Sequence, residues 1–191
     1  MPSYFRQFPK INYKFADGTT QNLTDLNVKF VLSDIVRMES SVFYPFAWRD
    51  QDRPDSIADK YYASSDYYWL VLMSNDVFDV FHDLPIQTES FDEYLRVKYR
   101  EDAMANGYTE SLEDVFAYCA STVHHYEDRD GYHIDLQSHI ELPNTIEVSI
   151  YDYEFKLNEG KRAINLLESS RKNTIMYELE GKLRQVKSQT E

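Results

Sequence analysis

The sequence predicts an α+β fold with a small βααβ module, β-containing extensions before and after it, and a long C-terminal helix. A strand-like aromatic run, two short helical runs and another extended run follow one another within residues 42–82. Toward the C-terminus, apolar residues recur every three or four positions, as on one face of a helix. We therefore expect an N-terminal extension with short strands (residues 1–41), the module (42–82), a helix-plus-hairpin region (83–148) and a C-terminal amphipathic helix (149–191).

The N-terminal extension is predicted to contain short strands. An extended run over residues 4–15 is followed by the turn sequence ADGT at residues 16–19, which separates two extended pieces. Residues 28–32 form a further β-rich run, and residues 33–38 are compatible with a helical turn. We expect a hairpin and at least one more short element here.

The module begins with an aromatic strand at residues 42–48. Pro54 favours the start of a first helix, on which Ile57, Ala58 and Tyr61 share one face. Asp66 is a suitable N-cap for a second helix. Residues 76–81 can return as a strand, which completes the predicted order of strand, helix, helix, strand.

The next region combines helices with a hairpin. The sequence SFDE at residues 90–93 is a capping box and predicts a helix that reaches residue 99. Residues 111–119 predict a second helix. The turn sequence DRDG at residues 128–131 predicts a hairpin between residues 123–127 and 132–136.

The C-terminal segment has the clearest helical pattern. With one polar step at Arg171, its apolar stripe consists of Ile164, Leu167, Ile175, Leu179, Leu183 and Val186. Ser149 and Asp152 form a cap at which this helix can begin. Such a stripe must be buried either on the protein's own body or on a partner helix, and the spacing alone does not choose between them.

Charge and cysteine content exclude several classes of protein. The net charge of −13 opposes binding to phosphate backbones, so we predict no nucleic-acid binding. From Glu154 onward the balance reverses to 8 Lys and Arg against 6 Glu. The single cysteine, Cys119, excludes an intramolecular disulfide and fits a reducing cytoplasm. We find neither a signal-peptide pattern nor an apolar run long enough to cross a membrane.

Residues that could carry chemistry are few. His124, His125, His133 and His139 lie near Asp128, Asp130 and Glu141, and such side chains bind metals. However, a hairpin sends alternate side chains to opposite faces, and no HExxH or CxxC spacing is present. We therefore interpret them as solvated hairpin residues. We predict no metal, no cofactor, no small-molecule substrate and no enzymatic activity.

Several residues of the module resemble known sequences. Ile57-Ala58, Tyr61-Tyr62, Trp69 and Asn75 stand where LysM modules have such residues. The sequence RPDSIA, followed by YYWL, ND and DLP, resembles the small LysM-like wedge subunit of T-even-type phage baseplates, the baseplate wedge protein 53 family. Similarity to that family continues over residues 4–9, 91–99 and 153–162. Two positions depart from the LysM pattern, because Gln51 and Ala63 stand where glycine is common.

The resemblance implies a scaffold role in the virion. Such a subunit is assembled in the host cytoplasm and helps to join neighbouring baseplate wedges through other wedge proteins during assembly of a contractile tail. Its partners are then other wedge proteins and neighbouring wedge copies. Our candidate contact residues are Tyr67, Tyr68, Ile164, Leu167, Arg171, Ile175, Leu179 and Leu183.

Two other functions fit parts of the sequence. A LysM-like module could bind peptidoglycan and serve cell-wall attachment or lysis, since a fold by itself does not fix a function. An enzyme that uses the histidine cluster is the weakest alternative, because no catalytic motif accompanies the histidines.

Overall fold

The computed structural model describes residue 4, residues 8–26, residue 32 and residues 39–190, with side chains except at residues 40 and 186–190. The described residues divide into two compact units. One, which we call the terminal unit, draws on Met1–Trp48, Asp52–Asp83 and Ala163–Glu191. The other, the inserted unit, consists of Arg49–Gln51 and Leu84–Arg162. The predicted α+β class is confirmed.

The terminal unit starts with the predicted hairpin. Strand β1 (Lys10–Lys14) pairs antiparallel with β2 (Thr20–Thr24). In the turn, the Asp17 carboxylate accepts bonds from the backbone N–H and the hydroxyl of Thr19, and Gly18 adopts a φ of +86° that glycine tolerates. Of the run predicted at residues 28–32, only Leu32 is described, and it is buried. The helical turn predicted at residues 33–38 lies outside the described residues.

The first strand and both helices of the predicted module are present. Strand β3 (Phe43–Ala47) precedes helix α1 (Pro54–Tyr62) and helix α2 (Tyr68–Met73). Pro54 occupies the first turn of α1, which buries Ile57, Ala58 and Tyr62. The predicted cap at Asp66 is wrong. The Ser64 hydroxyl instead accepts the bond from the Asp66 N–H, in a 3-10 turn that leads into α2.

The strand predicted at residues 76–81 is wrong, because this segment forms turns. The Asp83 carboxylate accepts bonds from the N–H groups of Phe78 and Asp79 at 2.8 Å. Such local side-chain bonds compete with a strand ladder. The partner of β3 is instead β7 (Ala163–Leu167), with Phe43 opposite Leu167 and Ala47 opposite Ala163.

The inserted unit packs helices against a small antiparallel sheet. Its helices are α3 (Thr88–Ala105), α4 (Leu112–Ser121), α5 (Leu136–Glu141) and α6 (Ile150–Gly160). The sheet has the order β5-β4-β6, from β4 (Val123–Glu127), β5 (His133–Ile134) and β6 (Ile146–Ser149). Both helices and the hairpin predicted in this region are confirmed. The core comprises Phe91, Leu95, Ala103, Val115, Tyr118, Cys119 and Ile150.

Of the two caps predicted at helix starts in the inserted unit, one differs from the prediction. The capping box at residues 90–93 is wrong, because α3 begins at Thr88 and its N–H bonds the Asp50 carboxylate. Asp50 also pairs with Arg162 at 2.7 Å, so the two ends of the inserted unit meet at this carboxylate. The predicted cap at Ser149 is confirmed, since its hydroxyl accepts from the Asp152 N–H.

The single helix predicted from residue 149 to residue 191 is interrupted. Helix α6 ends at Gly160, β7 follows, and helix α7 (Lys172–Thr190) forms the remainder. In β7, Ile164 and Leu166 are buried while Asn165 between them is exposed, which is the alternation of a strand. Pairing with β3 therefore overrides the helical spacing in this segment. Among the described residues, no helix is long and apolar enough to span a bilayer.

Candidate interaction surfaces

Six of the eight predicted contact residues are buried. Tyr67 lies in the turn before α2, Ile164 and Leu167 lie on β7, and the α7 residues are Ile175, Leu179 and Leu183. Tyr68 is half-buried and Arg171 is exposed. In the isolated chain, only these last two present much surface to a partner. The roles of all eight in partner binding stay predictions.

Polar contacts hold α7 and β7 to the rest of the terminal unit. The Tyr62 hydroxyl donates a buried bond of 2.8 Å to the Leu167 carbonyl oxygen. Lys172, the first residue of α7, donates to the Tyr62 carbonyl oxygen at 3.2 Å, and its ammonium lies 4.7 Å from the centre of the Tyr67 ring. The apolar stripe of α7 thus belongs to a helix that is tied to the body of the same unit.

Exposed apolar side chains are concentrated around α5 in the inserted unit. None of the six residues of α5, all of which the structure describes, is buried. Leu136 and Ile140 are one helical turn apart, and Ile140 is 69% exposed. We call these two residues and the exposed apolar residues near them in sequence the α5 patch: Tyr132, Leu136, Ile140, Leu142 and Ile146. Apolar surface of this kind marks interaction sites in soluble proteins.

A second exposed apolar segment lies in the terminal unit at residues 78–81. Phe81 is 86% exposed, and Phe78 and Val80 are also exposed. The loop is ordered by its own acidic residues, because Asp79 accepts from the Phe81 N–H and Asp83 from the Phe78 N–H. A preformed loop that presents aromatic side chains loses little conformational freedom on binding.

The inserted unit also contains a buried carboxylate, Glu154 on α6. It accepts hydrogen bonds from the Lys98 ammonium at 2.8 Å and the Tyr99 hydroxyl at 2.6 Å, both to Oε1, and from the Tyr94 hydroxyl at 3.0 Å to Oε2. Burial alone would raise the pKa of Glu154, but these three donors outweigh it and hold the pKa below its usual range.

A cleft of about 360 Å³ borders this carboxylate. Its lining consists of Ile86, Phe91, Tyr94, Lys98, Glu154, Leu157, Asn158, Gly160 and Lys161. Asn158 is committed to structure, because its side-chain amide bonds both the N–H and the carbonyl oxygen of Ile86. The polar groups around Glu154 are likewise bonded to each other. The cleft therefore has the character of a stabilising polar network rather than of a catalytic centre.

Two of the predicted cluster histidines come together with a carboxylate that the sequence analysis missed. His125, Glu127 and His133 lie on one face of the β4–β5 hairpin. The side chains of His125 and Glu127 are only 11% and 12% exposed, so the interpretation as a solvated residue is wrong for His125. Side chains alternate along a strand, so positions 125 and 127 share a face of β4, and the bulge between Val123 and His125 falls at position 124.

The remaining members of that predicted cluster lie elsewhere. His139 bonds the Thr145 hydroxyl at 2.8 Å and stacks on Tyr126. Asp128 accepts bonds from the N–H groups of Asp130 and Tyr132 and so shapes the hairpin turn. These residues have structural roles within the inserted unit.

The only thiol of the chain is buried and weakly acidic. Cys119 lies in the core of the inserted unit, and burial raises its pKa to about 11. A thiol with so high a pKa is protonated at neutral pH and is a poor nucleophile. This argues against thiol catalysis.

Comparison with known proteins gives one family. Residues 19–181 match the family described as base plate wedge protein 53. The match covers most of the chain and includes parts of both units. No curated protein sequence matches the chain. The chain therefore belongs to the base plate wedge protein 53 family and is a structural protein of the phage virion, in the tail baseplate.

Proposed function

We propose that this protein joins neighbouring baseplate wedges through protein–protein contacts while a contractile tail assembles in the host cytoplasm, and that it catalyses no reaction. The family match supports the baseplate setting. The observation that carries the joining role is the α5 patch, since α5 leaves Leu136 and Ile140 exposed while His139 of the same helix contacts its own unit. Partners would be other wedge proteins or neighbouring wedge copies.

We further propose that contacts are made on both units. The α5 patch lies on the inserted unit and the 78–81 loop on the terminal unit. A subunit with an apolar surface on each unit offers one surface to each of two partners, which is what joining requires. Tyr68 and Arg171 are the accessible members of the originally predicted set, and we retain them as secondary contacts.

Co-expression with the other wedge proteins of the same genome, followed by sizing of the complexes, tests this proposal. We expect the full chain to enter a complex. The double variant L136S/I140S should be lost from it, whereas V97S should remain, because Val97 is 67% exposed on α3 but lies outside the patch. Similarly, F81S should weaken assembly and Y177S, exposed on α7, should not.

A second experiment distinguishes the joining role from peptidoglycan binding. Sedimentation of the purified chain with insoluble peptidoglycan would be strong if the module binds cell walls. A chain that stays alone with wedge proteins and sediments with peptidoglycan would overturn the joining role. If the chain enters a complex and both sets of variants stay in it, the contacts lie on other surfaces.

A further inference from the structure

One face of the β4–β5 hairpin brings two histidines and a carboxylate together. Glu127 on β4 is directly opposite His133 on β5. His125 is two residues before Glu127 on the same strand, so all three side chains leave the sheet on one face. Their ligand atoms all lie within 4.8 Å of one another. We propose that this face binds one divalent transition-metal ion such as Zn²⁺ through His125, Glu127 and His133.

The spacing of the first two ligands already suits such an ion. His125 Nε2 and Glu127 Oε1 are 3.1 Å apart. Tetrahedral zinc with bonds of about 2.0–2.1 Å needs ligand atoms roughly 3.3 Å apart. The His133 ring is exposed and stacks on that of His125, with centroids 3.9 Å apart. Binding therefore requires a rotation of this exposed ring but no change in strand register, and water takes the fourth position.

His124 supplies support around the site. A bulge between Val123 and His125 interrupts the regular alternation of β4, and His124 Nδ1 lies 2.8 Å from His125 Nδ1. Its ring is fixed by stacking on Tyr153 at a centroid distance of 3.9 Å. When the metal binds His125 Nε2, the ring carries its proton on Nδ1, and this N–H donates a hydrogen bond to His124 Nδ1. Bonds of this kind orient metal-binding histidines in many proteins.

Lys156 competes with the metal for the Glu127 carboxylate. Its ammonium lies 3.0 Å from Glu127 Oε1, on the same oxygen that faces His125. The Lys156 side chain is 67% exposed, so it can swing into solvent when a divalent cation takes its place. The lysine and the metal thus compete for one carboxylate. If this network only neutralises Glu127, the chain should bind no divalent cation, because Lys156 already supplies the compensating charge.

Titration of the full-length chain with Zn²⁺, followed by calorimetry, and with Co²⁺, followed by its visible absorption, tests the proposal. We expect one ion per chain and a rise in the thermal unfolding temperature with Zn²⁺. H124F, which keeps a ring to stack on Tyr153, should weaken binding about 10–100-fold. H133A and E127Q should weaken it at least as much. K156M should tighten binding, and H139A, which removes a histidine outside the site, should leave it unchanged.

Metal binding by the unaltered chain tests the proposed site even if a variant fails to fold. In NMR spectra, Zn²⁺ should shift the ring signals of His125 and His133. The ring signals of His82, which pairs with Asp79 in the other unit, should not shift. Absence of stoichiometric binding overturns the proposal. So does binding that H133A and K156M, shown to be folded by circular dichroism, leave unchanged.

Discussion

The side chain of Asn75 bonds the backbone of Asn165 in both directions. Its Nδ2 donates to the Asn165 carbonyl oxygen at 2.8 Å, and its Oδ1 accepts from the Asn165 N–H at 2.7 Å. The same Nδ2 also donates to the Val71 carbonyl oxygen at 2.8 Å. One amide therefore joins the end of α2 to the centre of β7, a strand that is distant in sequence but belongs to the same unit.

Replacing Asn75 by Ala removes these three bonds and leaves both backbone groups of Asn165 without this partner. We expect a loss of about 1–3 kcal/mol in the free energy of unfolding, as measured by urea denaturation. Asn173 on α7 is exposed, and N173A serves as the matched control, with a change within about 0.5 kcal/mol. Equal effects of the two substitutions would show that the bonds to β7 contribute nothing.

The apolar stripe of α7 allows a test of whether it is core or partner surface. Leu179 is fully buried, so L179A should cost the isolated chain about 2–5 kcal/mol through lost burial and a cavity. Tyr177 on the same helix is exposed, and Y177A should change stability by less than about 0.5 kcal/mol. Thermal unfolding of the purified chain measures both. If L179A left the stability of the isolated chain unchanged, the stripe would be a partner surface rather than core.

How much the sequence could predict depended on how local each signal is. Pro54 at the start of α1, and Ser149 before Asp152, act within one helical turn, and the structure places both as expected. β7 was missed because its partner β3 is far away in sequence. The spacing from Ile164 to Leu167 fits a helix, whereas the spacing from Ile164 to Leu166 fits a strand, and only the distant partner decides between them.

The candidate contacts illustrate a second limit. The helical spacing of apolar residues in α7 correctly indicated that Ile175, Leu179 and Leu183 are buried, but the spacing does not tell which surface buries them. By contrast, the sequence predicts that residue 136 ends a strand of the hairpin, whereas Leu136 begins α5 and is exposed together with Ile140. Helix length does not explain the difference, because α2 is equally short and buries Trp69, Leu70 and Val71.

Ala63 adopts a left-handed conformation, with φ of 61° and ψ of 25°, just after α1. Glycine adopts this conformation without strain, whereas a residue with a Cβ atom does not. We expect A63G to stabilise the protein by up to about 1 kcal/mol in urea denaturation. A117G, the same substitution at an exposed position inside α4, should instead destabilise by about 1 kcal/mol. If A63G and A117G changed the free energy of unfolding in the same direction, the left-handed conformation of Ala63 would not explain the effect.

Glu154 predicts a pH dependence of stability. Its folded pKa lies below the unfolded value, so its ionised form stabilises the protein above the unfolded pKa of about 4.3, and this stability is lost as the pH falls through the folded pKa. Because Lys98 is partly exposed, we expect E154Q to cost only about 1–3 kcal/mol at pH 7. The difference from wild type should shrink toward pH 3 in urea denaturation series. E93Q, which breaks an exposed pair with Arg96, should have a much smaller effect.

The burial of Cys119 predicts a thiol that reacts only when the inserted unit opens. Burial, followed by the nearby charges of Glu154 and Asp102, raises its pKa to about 11, so little thiolate is present at pH 8 and reagents have no access to it. We expect labelling with an aromatic disulfide reagent to be slow in buffer and rapid in denaturant. The double variant C119A/S170C, which moves the only thiol to an exposed position, should react at once in buffer. Rapid stoichiometric labelling of the native wild-type chain would show that this core opens readily, and it would then also expose the bonds around Glu154 to water.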